Sequence, residues 1–180
     1  MSESPEPRMP DASFEDDFRR LFDGQFRSLF RYLDRLSGDP ALAADLAQET
    51  FVRLYRRGSM PEVPRAWLAA VAGNLLRDDR RTAARRQALT GAAVNQGRLD
   101  DTRSAPDEEV LAHERRAMVR GALDALPDRE RRILLLRYEG ASYREIARAL
   151  ELTESSVGTF LARARRAFQS AYEELHGAPG

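Results

Sequence analysis

Apolar side chains recur every three or four residues through most of the chain, which is the spacing that lines one face of an α-helix. No segment alternates apolar and polar residues over a useful length, as a half-buried strand would. The pattern therefore predicts an all-α protein without a sheet. In the first helix, with Ser13 as its predicted N-cap, a stripe of Phe and Leu is assigned to a core rather than to a ligand pocket: Phe18, Leu21, Phe22, Phe26, Leu29, Phe30, Leu33 and Leu36.

Turn residues divide the remaining periodic segments. Ser37–Pro40 ends the first helix, and further helices are predicted over Pro40–Arg57 and from Pro64 to Arg86. Periodicity then fades into a stretch with scattered Gly, Ser and Pro. We therefore predict two small helical domains joined by a flexible linker: a disordered tail at residues 1–12, a domain at 13–86, the linker at 87–106 and a domain at 107–175.

The segment from Ser142 to Arg166 predicts two helices joined by a tight turn. Ser142 and Glu145 have the spacing of a capping box, and Thr153 is a candidate cap for the second helix. Such a pair can present its second helix to the major groove of DNA. An ordinary helical hairpin gives the same spacing, so both interpretations stay open on the pattern alone.

Charge is informative through its distribution. The 29 basic and 29 acidic residues cancel, yet residues 77–86 hold five arginines, and Arg163, Arg165 and Arg166 cluster further along. Between these patches, residues 100–109 hold five acids against one arginine. Two basic patches suit a nucleic-acid partner, although each alone is also typical of a solvated helix face.

Composition excludes several classes. The chain has no Cys, and His113 and His176 lie far apart, so disulfides and thiolate sites are excluded and a metal site is disfavoured. No catalytic Ser-His-Asp set or Gly-rich phosphate loop is visible, and we expect neither an enzyme nor a cofactor. Without a long apolar run or a signal peptide, we expect a cytoplasmic protein.

Two further motifs carry a family resemblance. Residues 45–51, Asp-Leu-Ala-Gln-Glu-Thr-Phe, resemble the D-L-x-Q-E-x-F signature of bacterial sigma factors, and residues 67–81 resemble the segment that follows it. Residues 123–140 and the helix pair after them resemble the C-terminal domain of that family. The domain content resembles that of the short extracytoplasmic-function (ECF) group of the sigma-70 family. The resemblance implies a sigma region 2 bundle, a sigma region 4 helix-turn-helix, and promoter-specific transcription initiation.

The resemblance also implies sites in the first domain. The residues expected to bind core RNA polymerase are Asp45, Gln48, Glu49 and Phe51, of which the three polar ones share a helix face that would otherwise be interpreted as solvated. Those expected to engage the minus-10 element are Asn74, Arg77, Arg80 and Arg81. The base-capture loop is expected at Gly58–Arg65, and Trp67 is assigned to core packing rather than to base stacking.

In the second domain, the resemblance implies contacts with the minus-35 element from Arg144, Ser155, Ser156, Thr159, Arg163, Arg165 and Arg166. The sequence departs from the family pattern at three positions. Glu151 stands where the turn usually has Gly, Gly158 replaces a common basic residue, and Phe160 replaces a commonly polar or basic one. Promoter specificity therefore cannot be transferred from relatives.

The implied partners are core RNA polymerase, promoter DNA and an anti-sigma factor. The acidic residues of the linker region either mimic nucleic-acid charge or belong to a solvated tether: Asp100, Asp101, Asp107, Glu108 and Glu109. The alternative function is a helix-turn-helix regulator that acts without core polymerase, which leaves residues 45–51 without a role. A module that only sequesters a partner is a further alternative.

Overall fold

The computed structural model describes residues 12–90 and 107–176, and all regular secondary structure in these two ranges is α-helical. The helices are α1 (Ala12–Ser37), α2 (Pro40–Arg57), α3 (Pro64–Thr90), α4 (Asp107–Asp124), α5 (Asp128–Tyr138), α6 (Tyr143–Leu150) and α7 (Glu154–His176). The predicted all-α fold is confirmed. The tail at residues 1–11 and the linker residues 91–106 lie outside the described residues.

Two helix ends differ from the predictions. Because α1 already begins at Ala12, Ser13 lies inside the helix and the assignment of Ser13 as an N-cap is wrong. Helix α3 continues to Thr90, four residues past the predicted end at Arg86. The first difference is within the one or two residues by which helix ends vary, whereas the second is a longer extension of α3.

The turn between α1 and α2 has such signals. Gly38 adopts a left-handed conformation, with φ at 79°, and its N–H donates to Asp34 O at 2.8 Å. Asp39 then caps α2, because its Oδ1 accepts from the N–H groups of Ala41 and Leu42 at 2.9 and 3.0 Å. These short-range bonds reverse the chain and set α1 against α2.

Aromatic rings fill one end of the interface between α1 and α2. The ring centroid of Phe51 lies 6.0 Å from that of Phe18, 5.0 Å from that of Phe22 and 6.0 Å from that of Phe26. The predicted Phe and Leu stripe of α1 is thus mainly a packing face. Leu33, near the C-terminal end of the stripe, is fully buried.

The helices fall into an N-terminal unit, α1–α3, and a C-terminal unit, α4–α7. In the C-terminal unit, α6 and α7 form the predicted helix-turn-helix. Ser142 Oγ accepts from the Glu145 N–H at 3.2 Å and the Glu145 carboxylate accepts from the Ser142 N–H at 2.7 Å, so the capping box is confirmed. Glu151 closes α6 in the left-handed conformation, with φ 55° and ψ 49°. Thr153 directly precedes α7, and its hydroxyl accepts from Ser155 Oγ at 3.3 Å.

The two helical units pack against each other. Helix α3 contacts α6, α1 contacts α5, and buried apolar side chains of both units form one contiguous cluster. A small gap of about 20 Å³ between the units is lined by residues of α1, α3 and α5, including Leu29, Leu68 and Leu136. Apart from this gap, buried apolar side chains of both units pack against each other at the boundary.

Candidate polymerase and nucleic-acid interfaces

The acidic face of α2 is accessible. Asp45 and Gln48 are exposed, and Glu49 is half-buried beside them. Glu49 Oε1 accepts from Arg53 Nε one turn further along, at 2.8 Å. An incoming cation can approach Asp45 directly, whereas Glu49 would exchange one arginine for another.

Phe51 does not belong to that surface. Its side chain is 2% exposed, and its ring packs among the phenylalanines of α1. A side chain this buried cannot meet a second protein without reorganising the core, so its expected role as a direct polymerase contact is corrected to one of support. Phe51 fixes the helix that displays Asp45 and Gln48.

The minus-10 candidates lie on α3 and pair mostly with their own neighbours. Arg77 donates to Asn74 Oδ1, and Arg81 donates to Asp78 Oδ1 at 2.8 Å, both across one helical turn. Asn74, Arg77 and Arg81 are exposed. Exposed pairs of this kind contribute at most about 1 kcal/mol, so these side chains can exchange partners for phosphates or base edges at little cost.

Arg80 differs from its neighbours on α3. It donates to the backbone O of Leu36 at 2.5 Å and lies 3.7 Å from Asp128 Oδ1 at the start of α5. Burial lowers the pKa of Arg80, and the positive charge of Arg131 lowers it further. Arg80 therefore contributes to the packing between the units, and it would have to leave these partners to contact DNA.

The connection between α2 and α3, where the base-capture loop is expected, faces the C-terminal unit. Glu62 Oε1 accepts from Arg144 and Arg148 at 3.2 and 3.1 Å. Trp67 is half-buried against the core, and the guanidinium of Arg57 lies 5.9 Å from its ring centroid. The half-buried position of Trp67 agrees with core packing rather than with stacking on a DNA base.

Helix α7, the second of the helix-turn-helix pair, presents its polar side outward. Ser155, Thr159, Arg163, Arg165 and Arg166 are exposed, while Ser156 is half-buried with its hydroxyl donating to Thr153 O at 2.8 Å. The opposite face holds the buried residues Val157, Leu161 and Ala164. The helix thus has the amphipathic arrangement needed to lay one face in a groove.

Arg163 is oriented by its own unit. Its Nε donates to the buried Glu130 carboxylate of α5 at 2.5 Å, although the arginine side chain is 60% exposed. The Phe160 ring lies beneath the guanidinium groups of Arg129 and Arg163, at 5.6 and 5.3 Å from their central carbons. Phe160 therefore holds cations at the side of α7 where the family pattern has a polar or basic residue.

Several of these partners were not predicted. Glu130, Glu62 and Arg129 have partners that lie far from them along the chain. They meet these partners only when the fold brings α5, α6, α7 and the loop before α3 together. The available signal was an acidic residue flanked by arginines, as Glu130 is in the sequence Asp-Arg-Glu-Arg-Arg of residues 128–132.

In the ranges that the structure covers, no helix is long and apolar enough to cross a membrane. The same ranges contain no group of three or more His, Cys, Asp or Glu placed to hold a metal ion.

Comparisons with known proteins agree with this geometry. Family models match Sigma-70 region 2 over residues 21–86 and Sigma-70, region 4 over residues 116–168. The chain is 35% identical over 162 residues to the ECF RNA polymerase sigma factor SigL of Mycobacterium tuberculosis, covering 87% of this chain and 89% of SigL. It is 28% identical over 167 residues to the ECF RNA polymerase sigma factor SigX of Bacillus subtilis, covering 89% of this chain and 86% of SigX.

The fold also matches a solved structure, that of the sigma factor RpoE from Bartonella quintana in complex with the anti-sigma factor NepR. The TM-score is 0.67 at 20% identity, over 88% of this chain and 98% of RpoE. The helix-turn-helix, the acidic face of α2 and the basic end of α3 all fall within the matched regions. The chain belongs to the ECF sigma factors of the sigma-70 family.

Proposed function

We propose that this protein binds core RNA polymerase and directs it to promoters carrying minus-10 and minus-35 elements. The proposal rests on two family matches that follow each other along one chain. Sigma-70 region 2 matches the N-terminal unit, and Sigma-70, region 4 matches the C-terminal unit. It acts in the cytoplasm by binding alone, without catalysis or a cofactor. Residues 13–86 act as the polymerase and minus-10 domain, residues 107–175 as the minus-35 domain, and residues 87–106 as the linker.

Each surface has a proposed partner. The acidic face with Asp45, Gln48 and Glu49 takes basic residues of the polymerase through charge-assisted hydrogen bonds. Asn74, Arg77, Arg80 and Arg81 of α3 engage the minus-10 strand. The minus-35 duplex meets the exposed side of α7 and the start of α6 through Arg144, Ser155, Ser156, Thr159, Arg163, Arg165 and Arg166.

An anti-sigma factor is proposed as the regulator. Bartonella quintana RpoE, whose fold is similar, was solved in complex with the anti-sigma factor NepR. A factor of this kind would cover the polymerase and DNA surfaces of this chain. Co-purification of a tagged full chain from its own cells identifies it, and the bound protein should compete with core polymerase.

The polymerase surface is tested by Asp45→Ala with Glu49→Ala. Removing two carboxylates from one face should weaken binding to core polymerase about tenfold or more in a fluorescence titration. Glu173→Ala with Glu174→Ala removes the same charge from exposed positions of α7 and should leave the affinity unchanged. Equal affinities for the two double variants would remove α2 from the polymerase interface.

Run-off transcription separates this function from its alternative. Transcript starts mapped after overexpression supply the templates, and the purified chain with core polymerase should then give promoter-specific products. A helix-turn-helix regulator acting without the core would bind the same DNA yet give no product above core polymerase alone. That result would reject the proposed function.

A further inference from the structure

Helix α3 continues well beyond the core of the N-terminal unit. Leu76 is its last buried apolar residue, whereas every residue from 81 to 89 is exposed. Helix α3 nevertheless runs to Thr90. A short helical segment without packing contacts is only marginally stable in water, and its side chains are open to a partner that would support it. We call residues 81–89 the exposed end of α3.

The exposed end of α3 lies in a strongly basic segment. From Arg80 to Thr90 the sequence has four arginines and no acidic residue. Arg81 is paired with Asp78, one turn before it, at 2.8 Å. Arg85 is exposed and has no ion pair with any residue that the structure describes. A helix end with uncompensated positive charge attracts an anionic partner.

Three arginines of α3 form a row. Arg77, Arg81 and Arg85 follow one another at intervals of four residues, which places them on one side of the helix. The row spans about 12 Å along the axis, since each residue adds about 1.5 Å. Ala84 and Ala88 each follow an arginine of this row by three residues, so they lie beside it on the helix surface. Their short side chains allow the helix backbone to approach a second surface that the arginines bind.

The spacing of this row fits the phosphate backbone of DNA. Phosphates of one strand follow one another at about 3.4 Å along the duplex axis, so the row spans about three or four nucleotides. Guanidinium groups bind phosphate oxygens through charge-assisted and often bidentate hydrogen bonds. Contacts of this kind fix the position of a protein on the duplex without reading its sequence. The partner that suits the exposed end of α3 is therefore duplex DNA of any sequence.

The order of the chain gives the direction of such a contact along the promoter. Asn74, the base-reading candidate of α3, lies about 16 Å before Arg85 along the helix axis. This distance corresponds to about five base pairs of B-form DNA. Beyond α3 the chain continues to the domain that the proposed function assigns to the minus-35 element. The exposed end of α3 is therefore directed from the minus-10 element toward the upstream duplex.

We propose that the exposed end of α3 is an interaction surface for the duplex just upstream of the minus-10 element, where Arg85 binds a phosphate beside Arg81. The contact adds affinity that does not depend on the base sequence between the two promoter elements. It adds Arg85 to the DNA-contacting residues of the first domain. The inference rests on the proposed function for the position of this duplex.

The contact is tested with the complex of the full chain and core polymerase on two DNA templates. Both templates carry the mapped minus-10 element and the sequence downstream of it, and neither carries a minus-35 element. The long template adds about ten base pairs of upstream duplex, or about 34 Å, which exceeds the reach from Asn74 to Arg85. The short template ends at the minus-10 element. Binding is measured by fluorescence anisotropy over a range of salt concentrations.

Arg85→Gln removes one charge and replaces it with a residue of similar helix propensity. On the long template it should weaken binding about two- to fivefold and lower the salt dependence by about one ion. On the short template it should bind like the wild type. Arg85→Lys keeps the charge and should retain most of the salt dependence. Circular dichroism of the free variants establishes that their helices are folded.

Arg86→Gln is the matched control, because Arg86 carries the same charge but lies about 100° further around the helix, away from the row. It should leave the difference between the two templates as in the wild type. Equal losses for Arg85→Gln on both templates, or for Arg85→Gln and Arg86→Gln on the long one, would overturn the contact. If Arg85→Gln acts on the long template alone but the wild type gives no promoter-specific transcript, the proposed function fails while the contact stands. Transcription without any effect of Arg85→Gln rejects the contact alone.

Discussion

The two surfaces proposed to read the promoter differ in where their charged side chains find partners. On α3, Arg80 reaches Leu36 O and the Asp128 carboxylate of the other unit. On α7, Arg163 is held by Glu130 of its own unit, and Arg165 and Arg166 are exposed. At Arg80 the minus-10 surface therefore includes a contact across the boundary, whereas Arg163 on the outward face of α7 is held within one unit.

The difference extends to α6 and the loop before α3. Arg144 and Arg148 of α6 are paired with Glu62 of that loop, whereas Arg163 on the polar face of α7 is paired within its own unit. We therefore expect a minus-35 duplex to meet the polar face of α7 without rearrangement, while a phosphate contact from Arg144 requires that side chain to leave Glu62.

The largest expected effect comes from cavities in the shared core. Leu33 and Ile146 are fully buried, one in each unit, and belong to one contiguous cluster. Leu33→Ala and Ile146→Ala should each lower the free energy of unfolding by about 2–5 kcal/mol. Trp67, the only tryptophan, reports the N-terminal unit, while circular dichroism reports both.

If the boundary couples the units, Ile146→Ala should shift the Trp67 denaturation midpoint together with the dichroism midpoint. Leu89→Ala removes the same kind of side chain from a position that is 87% exposed and should change neither midpoint measurably. An Ile146→Ala chain that loses helicity in two steps, with the Trp67 midpoint unchanged, would mean that the units unfold independently. The difference between the minus-10 surface on α3 and the minus-35 surface on α7 would then not depend on packing at the boundary between the units.

A smaller effect is expected at the Arg163 and Glu130 pair. Arg163→Ala leaves a carboxylate that is 7% exposed without its partner, so we expect a loss of about 1–3 kcal/mol in unfolding free energy as well as weaker DNA binding. Adding Glu130→Gln should recover most of the stability, because the buried group is then neutral. The recovery is measured by urea denaturation of both variants.

DNA binding separates the two roles of Arg163. If Arg163 contacts the minus-35 duplex, the double variant should regain stability but not affinity, and the salt dependence of binding should fall by about one ion. Recovery of both stability and affinity would assign Arg163 to the packing of α5 against α7 alone. The outward face of α7 would then have one fewer side chain that contacts DNA.

The features that the sequence predicts correctly are those whose interacting residues lie close together along the chain. The helices, the turn at Gly38 and the capping box of Ser142 and Glu145 all depend on residues within four positions of one another, and they are confirmed. Glu139 and Arg31 are 108 positions apart, and no local pattern marks either as the other's partner. The boundary between the units is therefore a property of the tertiary structure.

Phe51 illustrates the opposite failure. The family signature spans Phe51 and so implies a contact with polymerase, yet the periodicity of Phe51 with Leu46, Ala47 and Leu54 predicts an apolar helix face. A sequence signature includes side chains that bind a partner and side chains that hold the helix in place. Burial separates the two kinds, and burial becomes visible only once α1 packs on α2.

The smallest expected effect is at Glu151, where the sequence already indicated a cost. A left-handed backbone costs a non-glycine residue roughly 1–2 kcal/mol, and Glu151 has φ at 55°. Glu151→Gly should therefore stabilise the chain by at most about 1 kcal/mol, since the greater freedom of glycine in the unfolded chain offsets part of the gain. Glu151→Ala removes the same charge but keeps the strain, and should give no gain.

The size of this small effect on the melting temperature also bears on the boundary. A change of about 1 kcal/mol shifts the melting temperature by about 4–8 °C in a unit of 60–100 residues, but by about 2–4 °C in one of 150–250 residues. Since the two cores are contiguous, the lower range is expected for Glu151→Gly in calorimetry of the wild-type background. A shift in the higher range would mean that the C-terminal unit unfolds in a transition of its own, and that the turn before α7 is stabilised within that unit alone.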